Sequence, residues 1–168
     1  SNLRAPDLTE IQAPRATREQ LDRVHAPAYV DAVFDSAPAD GLIALDPETT
    51  MGPHSLEAAV RAAGAVCHGV DLVLAGDARH VFCLVRPPGH HAAAANSAGF
   101  CIFNNVAVGA AHALTKDAIE RVAILDFDVH HGDGTESMVR EDSRILMCST
   151  YQPPLYPGTN LPSVPGSP

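Results

Sequence analysis

The sequence predicts an α/β fold built on a parallel sheet. Two observations carry this. First, Val81 to Val85, Val122 to Leu125 and Ile145 to Cys148 are short apolar runs bounded by turn residues, the pattern of buried strands. Second, helical stretches separate them, and a strand–helix–strand–helix–strand alternation argues for parallel pairing. The 168 residues, 46% hydrophobic, suit one domain of ordinary size with a real core.

Residues 1–16 carry no clear pattern. Thr17 followed by Gln20 makes a capping box and starts a short helix, with Leu21 and Val24 inward. Pro27 opens a second helix, with Val30, Val33 and Phe34 apolar. His25 and Tyr29 read as packing residues. Residues 35–54 are rich in Pro, Asp and Gly and read as loop. Ser55 is expected to cap a long helix on which Leu56, Ala59, Val60, Ala63, Cys67, Val70 and Leu74 share a face, with Gly76 as its stop. His68 lies off that face and reads as solvated.

After the strand at Val81 to Val85 comes Arg86-Pro87-Pro88-Gly89-His90-His91. The prolines stiffen this loop, so two histidines sit just past a strand end. Phe100 and Phe103 read by default as core. Asn104 or Asn105 caps a helix running to about Lys116. The strand at Val122 then leads into Asp126-Phe127-Asp128-Val129-His130-His131-Gly132-Asp133-Gly134. Side chains two apart in a strand share a side, which predicts Asp126, Asp128 and His130 together at the carboxyl end, where open α/β sheets place their ligands. A short helix follows from Gly134 to Arg140, then the strand at Ile145 and a Pro-rich loop over 151–168.

A lone Asp after a strand is usually a turn or cap, and a lone His is usually a structural residue. Three acids and two histidines within eight positions are harder to explain so, because unpaired buried charge is costly. Carboxylates with imidazole suit a divalent metal. A His beside an Asp suits proton transfer near neutral pH.

The net charge of −9 argues against a nucleic-acid partner. The four cysteines have no paired metal spacing and read as buried thiols, so a reduced, cytoplasmic setting is expected. No membrane partner is expected, since no apolar stretch looks long enough to span a bilayer.

Three segments resemble the histone deacetylase family, which includes bacterial deacetylases and acetylpolyamine amidohydrolases and is similar in fold to arginase. They are Arg86 to Ala92, Gly99-Phe100-Cys101-Ile102-Phe103-Asn104-Asn105, and Asp126 to Thr135; Tyr156-Pro157-Gly158-Thr159 also looks familial. The resemblance implies a three-layer, mostly parallel α/β sheet with helices on both faces, here incomplete: residues 1–168 would form a single partial catalytic domain, its N-terminal portion. It implies Zn2+, with Asp128 and His130 as ligands. His91 would be the general base, oriented by Asp133, and His90 a second histidine paired with Asp126. Gly99 and Phe100 would line a substrate tunnel, and Asp46 would grip the substrate at the rim. Main-chain oxygens of Asp126, Asp128, His130 and Thr150, with the Ser149 hydroxyl, would hold a structural potassium ion. The reaction implied is removal of acetyl or related acyl groups from lysine or polyamine amines.

The sequence also departs from that pattern. The family's third zinc ligand and its oxyanion-stabilising Tyr are expected beyond Pro168, and its leading strand is not found before residue 17. Tyr151 stands where relatives often have His. We therefore expect a poor or inactive enzyme when the polypeptide is alone, and an open apolar sheet edge that needs the remainder of a chain or a homo-oligomer. The alternatives are a non-catalytic binding or regulatory module of the same shape, and an arginase-like site with two manganese ions.

Overall fold

A computed structural model describes residues 8–158. The expected capping box forms at the start of α1 (Arg18–Asp22): Thr17 Oγ1 accepts from the Gln20 amide and Gln20 Oε1 accepts from the Thr17 amide at 2.8 Å. Pro27 opens α2 (Pro27–Asp35), which buries Val30 and Val33. Arg18 ties the two helices together, pairing with Asp22 at 2.7 Å and Asp31 at 2.5 Å.

The stretch expected as plain loop contains a small antiparallel pair, β1 (Ile43–Ala44) and β2 (Thr50–Met51). Its turn is closed by the Asp46 carboxylate, which accepts from the Glu48 and Thr49 amides, both at 2.9 Å. This is the Asx chemistry that lets a short polar side chain stand in for a backbone turn. Two-residue strands are too short to show alternation in sequence.

The long helix α3 (Ser55–Ala75) ends as expected at Gly76, whose φ of 79° is the left-handed stop. Its start differs by one residue. His54 occupies the cap position, and Ser55 Oγ instead accepts from the Gly52 amide at 2.9 Å. By its length of 21 residues and its apolar composition alone, α3 is long enough to cross a membrane, which corrects the expectation that no segment is long enough. Its packing is that of a core helix. A Cβ added at Gly64 would lie 2.2 Å from the Pro14 carbonyl oxygen, so the incoming chain runs directly against it. Gly109 of α4 (Asn105–Ala113) approaches the helix as closely, at Val66. His68, expected in solvent, is half-buried.

Asn104 caps α4 by accepting from the Ala107 amide at 3.1 Å. The helix stops near Leu114, two residues short of Lys116. The parallel pair is β3 (Val122–Asp126) with β4 (Ile145–Ser149), in register from Val122 opposite Ile145 to Asp126 opposite Ser149. Between them lies α5 (Asp133–Val139). Val122, Ile124, Ile145 and Met147 pack under Val106 and Ala110 of α4 and Met138 and Val139 of α5. The larger core joins Leu21, Val30, Val33, Met51, Val60, Cys67, Ile102, Phe103 and Val108.

This is the α/β class with parallel pairing, in incomplete form. Among the described residues α4 and α5 cover one sheet face, while Leu125, 68% exposed, and Leu146 lie bare on the other. The expected strand at Val81 to Val85 is not paired in a sheet. It keeps the two-residue alternation, with Cys83 and Val85 half-buried and Phe82 and Leu84 exposed at 85% and 89%. A strand is defined by its ladder partner, and this run finds none among the described residues. Cys67 and Cys101 are buried as expected; Cys83 is half-buried and Cys148 exposed, because alternation in β4 puts Cys148 on the bare face with Leu146. Residues 151–158 are loop, and the rest of the Pro-rich stretch, 159–168, lies outside the described residues.

His25 is a packing residue, edge-on to Phe103 at 5.4 Å. Burial pushes its pKa down to about 4 from 6.5, against the opposing pull of hydrogen bonds to the Ala94 and Ala93 backbone. The unfolded chain therefore takes up this proton first. The stability involved is complete above pH 6.5 and drains away as the pH falls toward 4, by about 3 kcal/mol at 1.36 kcal/mol per unit. Urea unfolding at pH 7, 5.5 and 4 is expected to show a shallower acid loss for His25→Gln than for the wild type; parallel losses would count against a buried neutral imidazole.

Candidate metal and catalytic site

The site begins where β3 ends. Asp126 Oδ1 accepts from the Asp128 amide at 3.1 Å, and Asp128 Oδ1 accepts from the His130 amide at 2.8 Å. Two successive Asx turns thus carry the chain out of the strand. They bring His130 Nδ1 to 3.1 Å from Asp128 Oδ1, both side chains part-exposed. The expected neighbourhood of Asp128 and His130 is present, but turn chemistry produces it rather than strand alternation. Asp126 is aimed elsewhere.

Its partner is the Pro-Pro-Gly loop. His90 Nδ1 lies 2.9 Å from Asp126 Oδ2, and His91 Nδ1 lies 2.7 Å from Asp133 Oδ1 at the first turn of α5. The His90 and His91 ring centroids are 4.0 Å apart, and those of His91 and His130 are 6.0 Å apart. So the two histidine-bearing loops converge on one place. Each carboxylate accepts a hydrogen bond from an Nδ1–H and leaves Nε2 as the free ring nitrogen, the arrangement that fixes an imidazole's tautomer. Burial disfavours a charged His90, but the hydrogen bond and charge of Asp126 outweigh it and lift its pKa. Burial likewise works against ionised Asp126, and the His90 hydrogen bond with the Asp128 amide prevails, holding its pKa below the usual carboxylate value.

Small residues permit this density. A Cβ on Gly132 would fall 2.2 Å from Asp126 Oδ2 and 3.2 Å from His90 Nδ1. One on Gly134 would fall 2.4 Å from the Ala92 carbonyl oxygen and the His91 carbonyl carbon. The Gly-Asp-Gly run is therefore an envelope for the two His–Asp pairs, with Asp133 between.

A wall stands beside His91. Gly99 has a φ of 51°, and a Cβ there would meet His91 Cδ2 at 2.4 Å. Phe103 is fully buried, as expected, but Phe100 is not core: it has a φ of 67° and is 68% exposed. A positive φ is rare for a bulky residue and marks backbone held by its surroundings. The hold here is the Phe100 amide donating to Thr49 Oγ1 at 3.1 Å. Asp46 supports that turn; its carboxylate also accepts from Ser97 Oγ at 2.5 Å, so three donors already engage it.

Sequence reasoning gave Tyr156 no role. Its ring stands edge-on to His91 at 4.7 Å and 6.3 Å from His130. Burial, then a hydrogen bond to Glu48, pushes its pKa up to about 12. The available signal was an aromatic ahead of Pro-Gly in a familial segment. At the carboxyl end of the β3–β4 pair, the Thr150 amide donates to the Asp126 carbonyl at 3.0 Å. Ser149 Oγ is buried there with no partner, and so is His131 Nδ1. His131 Nε2 pairs with Glu136 at 2.8 Å, and its ring packs on Tyr151 at 4.6 Å. Among the described residues no group of three or more His, Cys, Asp or Glu side chains could hold a metal ion.

A family model described as the histone deacetylase domain matches residues 1–167. The chain belongs to the histone deacetylase domain family. An uncharacterized protein of Synechocystis sp. is 47% identical over 152 residues, covering 88% of this chain and 49% of that protein. The histone deacetylase-like amidohydrolase of Pseudomonas aeruginosa is 40% identical over 150 residues, covering 87% of this chain and 39% of that one. The crystal structure of the HDA15 HD domain superposes with a TM-score of 0.84 at 35% identity, over 90% of this chain and 43% of that one. The chain thus spans about half, or less, of the length of the curated relatives it matches. The solved deacetylase domain also fixes the fold as the family's α/β architecture.

In this deacetylase-domain chain, Gly132→Ala is expected to force the His90 and Asp126 side chains apart and to cost about 1–3 kcal/mol, as overpacking does. Chemical denaturation measures the cost, and loss of the downfield His90 Nδ1 proton signal reports the broken pair. A variant with both intact would show that the packing is looser than described.

Proposed function

We propose that this chain carries half of a zinc-dependent amidohydrolase site that removes acyl groups, acetyl foremost, from lysine or polyamine amines. The observation that carries it is the convergence of two His–Asp pairs beside Asp128 and His130, with His91 and His130 rings 6.0 Å apart. Asp128 and His130 offer one carboxylate and one imidazole, part-exposed and adjacent, a donor set that suits zinc. They are two of the three protein ligands a catalytic zinc takes, and the third would come from outside this chain. When bound, zinc would polarise the acyl carbonyl and lower the pKa of water toward ~7.

The chain's own residues supply the rest. Asp133 holds His91 in the tautomer whose Nε2 can accept a proton, and the imidazole can return that proton to the leaving amine. His90, tied to Asp126 and with its pKa raised by it, stands against the same ring. Gly99, Phe100 and Tyr156 give the approach an apolar wall. Such a wall favours a neutral acylamide over a free ammonium, whose desolvation costs several kcal/mol. Asp46 is proposed to shape the rim through the turn that holds Phe100, with substrate gripping a further role that its remaining lone pairs permit. A potassium ion is proposed beside Ser149, whose buried, unpartnered hydroxyl supports it, with the main-chain oxygens of Asp126, Asp128, His130 and Thr150.

Alone, the chain is proposed to be poorly active. An incomplete ligand set weakens zinc binding, and lack of an oxyanion donor costs about 100- to 1,000-fold. The bare apolar face at Leu125 and Leu146 supports a covering partner, either the rest of a domain or a second copy. Those two features also favour the second reading, a non-catalytic module of deacetylase shape. A cytoplasmic setting is proposed with either, supported by Cys67, Cys83, Cys101 and Cys148 all being free thiols.

Calorimetric titration with zinc is expected to show one weak site, weakened at least tenfold further by Asp128→Ala or His130→Ala. With this segment in a complete deacetylase domain, His91→Ala is expected to lower kcat on an acetyl-lysine peptide by about 100- to 10,000-fold, the range for a lost acid–base group. Unchanged turnover would remove His91 from the role of base.

A further inference from the structure

The loop that carries His90 and His91 has no regular hydrogen-bond ladder, yet four of its carbonyls, of His90, Ala92, Ala93 and Ala94, are met by three other elements. The His90 carbonyl accepts from the Thr135 amide of α5 at 3.0 Å. That of Ala92 accepts from Asn104 Nδ2, at the cap of α4, at 2.9 Å. The Ala93 carbonyl lies 3.1 Å from His25 Nδ1, and that of Ala94 accepts from the Ala26 amide, in the α1–α2 turn, at 2.8 Å.

The three side chains near these carbonyls are also tied to one another. His25 Nε2 accepts from the Asn104 amide at 3.0 Å. Its other nitrogen must then carry the proton that goes to Ala93, so the imidazole is neutral and Nδ1-protonated. Asn104 Nδ2 donates to Thr135 Oγ1 at 3.0 Å. The Thr135 hydroxyl proton has Asn104 Oδ1 at 3.3 Å and the His90 carbonyl at 3.4 Å within reach. His25, Asn104 and Thr135 are all buried. An apolar trio would fill the same space, but it would strip the Ala92 and Ala93 carbonyls of these partners, and a buried carbonyl left unmatched is destabilising.

We propose that His25, Asn104 and Thr135 are positioning residues: a buried polar clamp that fixes the His90–Ala94 backbone and thereby sets His91 against Asp133. The link to the site is direct. Helix α5 carries both Asp133, which accepts the hydrogen bond from His91 Nδ1, and Thr135, whose amide donates to the His90 carbonyl. Ring and backbone are therefore referenced to one rigid turn. The functional weight of the clamp rests on the reading of His91 as general base, where a displacement of about 1 Å can cost on the order of 100-fold.

Long-range proton–nitrogen spectra of the 15N-labelled chain test the clamp without any need for turnover. In the wild type, His25 is expected to be neutral and Nδ1-protonated at pH 7, and the His91 Nδ1 proton to exchange slowly. Thr135→Val keeps shape and removes the hydroxyl; it is expected to speed exchange of the His91 Nδ1 proton and the Ala92 amide about tenfold. Thr135→Ser is expected to return both to within about twofold of wild type. Exchange unaltered in Thr135→Val, or not recovered in Thr135→Ser, would overturn the proposal. So would an Nε2-protonated or charged His25 in the wild type, a readout that stands even where Thr135→Val does not fold. Failure of His91 as a base shows only in turnover, and leaves these signals untouched.

Discussion

Two imidazoles on one loop, each held through Nδ1 by a carboxylate from another segment, are the constraint on which the rest of this structure depends. His90 reaches Asp126 at the end of β3, and His91 reaches Asp133 at the start of α5. These contacts join segments 36 and 42 residues apart in the chain. Once they are made, the turn between Asp126 and Asp133 has little freedom. It must pass beneath His90, and Gly132 and Gly134 leave the room for it. The Asx turns at Asp126 and Asp128 then set where Asp128 and His130 stand. Charge, tautomer and packing are thus satisfied by one set of contacts.

The scaffold around the pairs explains why such a polar cluster can persist beside a core. Unpaired charges in this position would be expensive to desolvate, and here each buried histidine has a partner for at least one ring nitrogen. One apolar core joins α1, α2, α3 and α4, and a second lies between the β3–β4 pair and α4 and α5. Rigidity comes from small-residue contacts such as Gly64 with the Pro14 backbone, and from the helices that cap and carry the site residues. Between these rigid parts, Gly99 and Phe100, both at positive φ, depart from ordinary backbone preferences, and the exposed Phe100 ring from ordinary burial.

Much of this was legible in the residues. The capping box at Thr17, the stop at Gly76 and the apolar periodicity of α3 depend on local chemistry, so they read directly. The site was legible because its residues crowd into two short runs whose composition has no cheap structural explanation. Other features were hidden for physical reasons. Val81 to Val85 has a strand's sequence, but pairing is a property of neighbours. The Cys148 thiol looked buried because β4 is apolar throughout, whereas exposure is decided by which face is covered. Phe100 looked like core because hydrophobicity says nothing of a positive φ. Tyr156 could not be placed against His91 by pattern, since 65 residues of chain and a fold separate them. Asp46 was assigned to a substrate; its turn chemistry, which engages it three times over, is invisible without the positions of Thr49 and Ser97.

Both histidine-bearing loops, with the Asp128–His130 turn inside the second, surround a single point. The most direct measurement is a Co2+ titration followed through the imidazole signals of the 15N-labelled chain, since a paramagnetic ion broadens neighbours by distance. That geometry predicts that His130 is lost first, His91 and His90 next, and that His25 and His112, the latter buried on α4 against Asp71, stay sharp. Loss of His25 or His112 together with His130, or persistence of His91 after His130 has vanished, would contradict it.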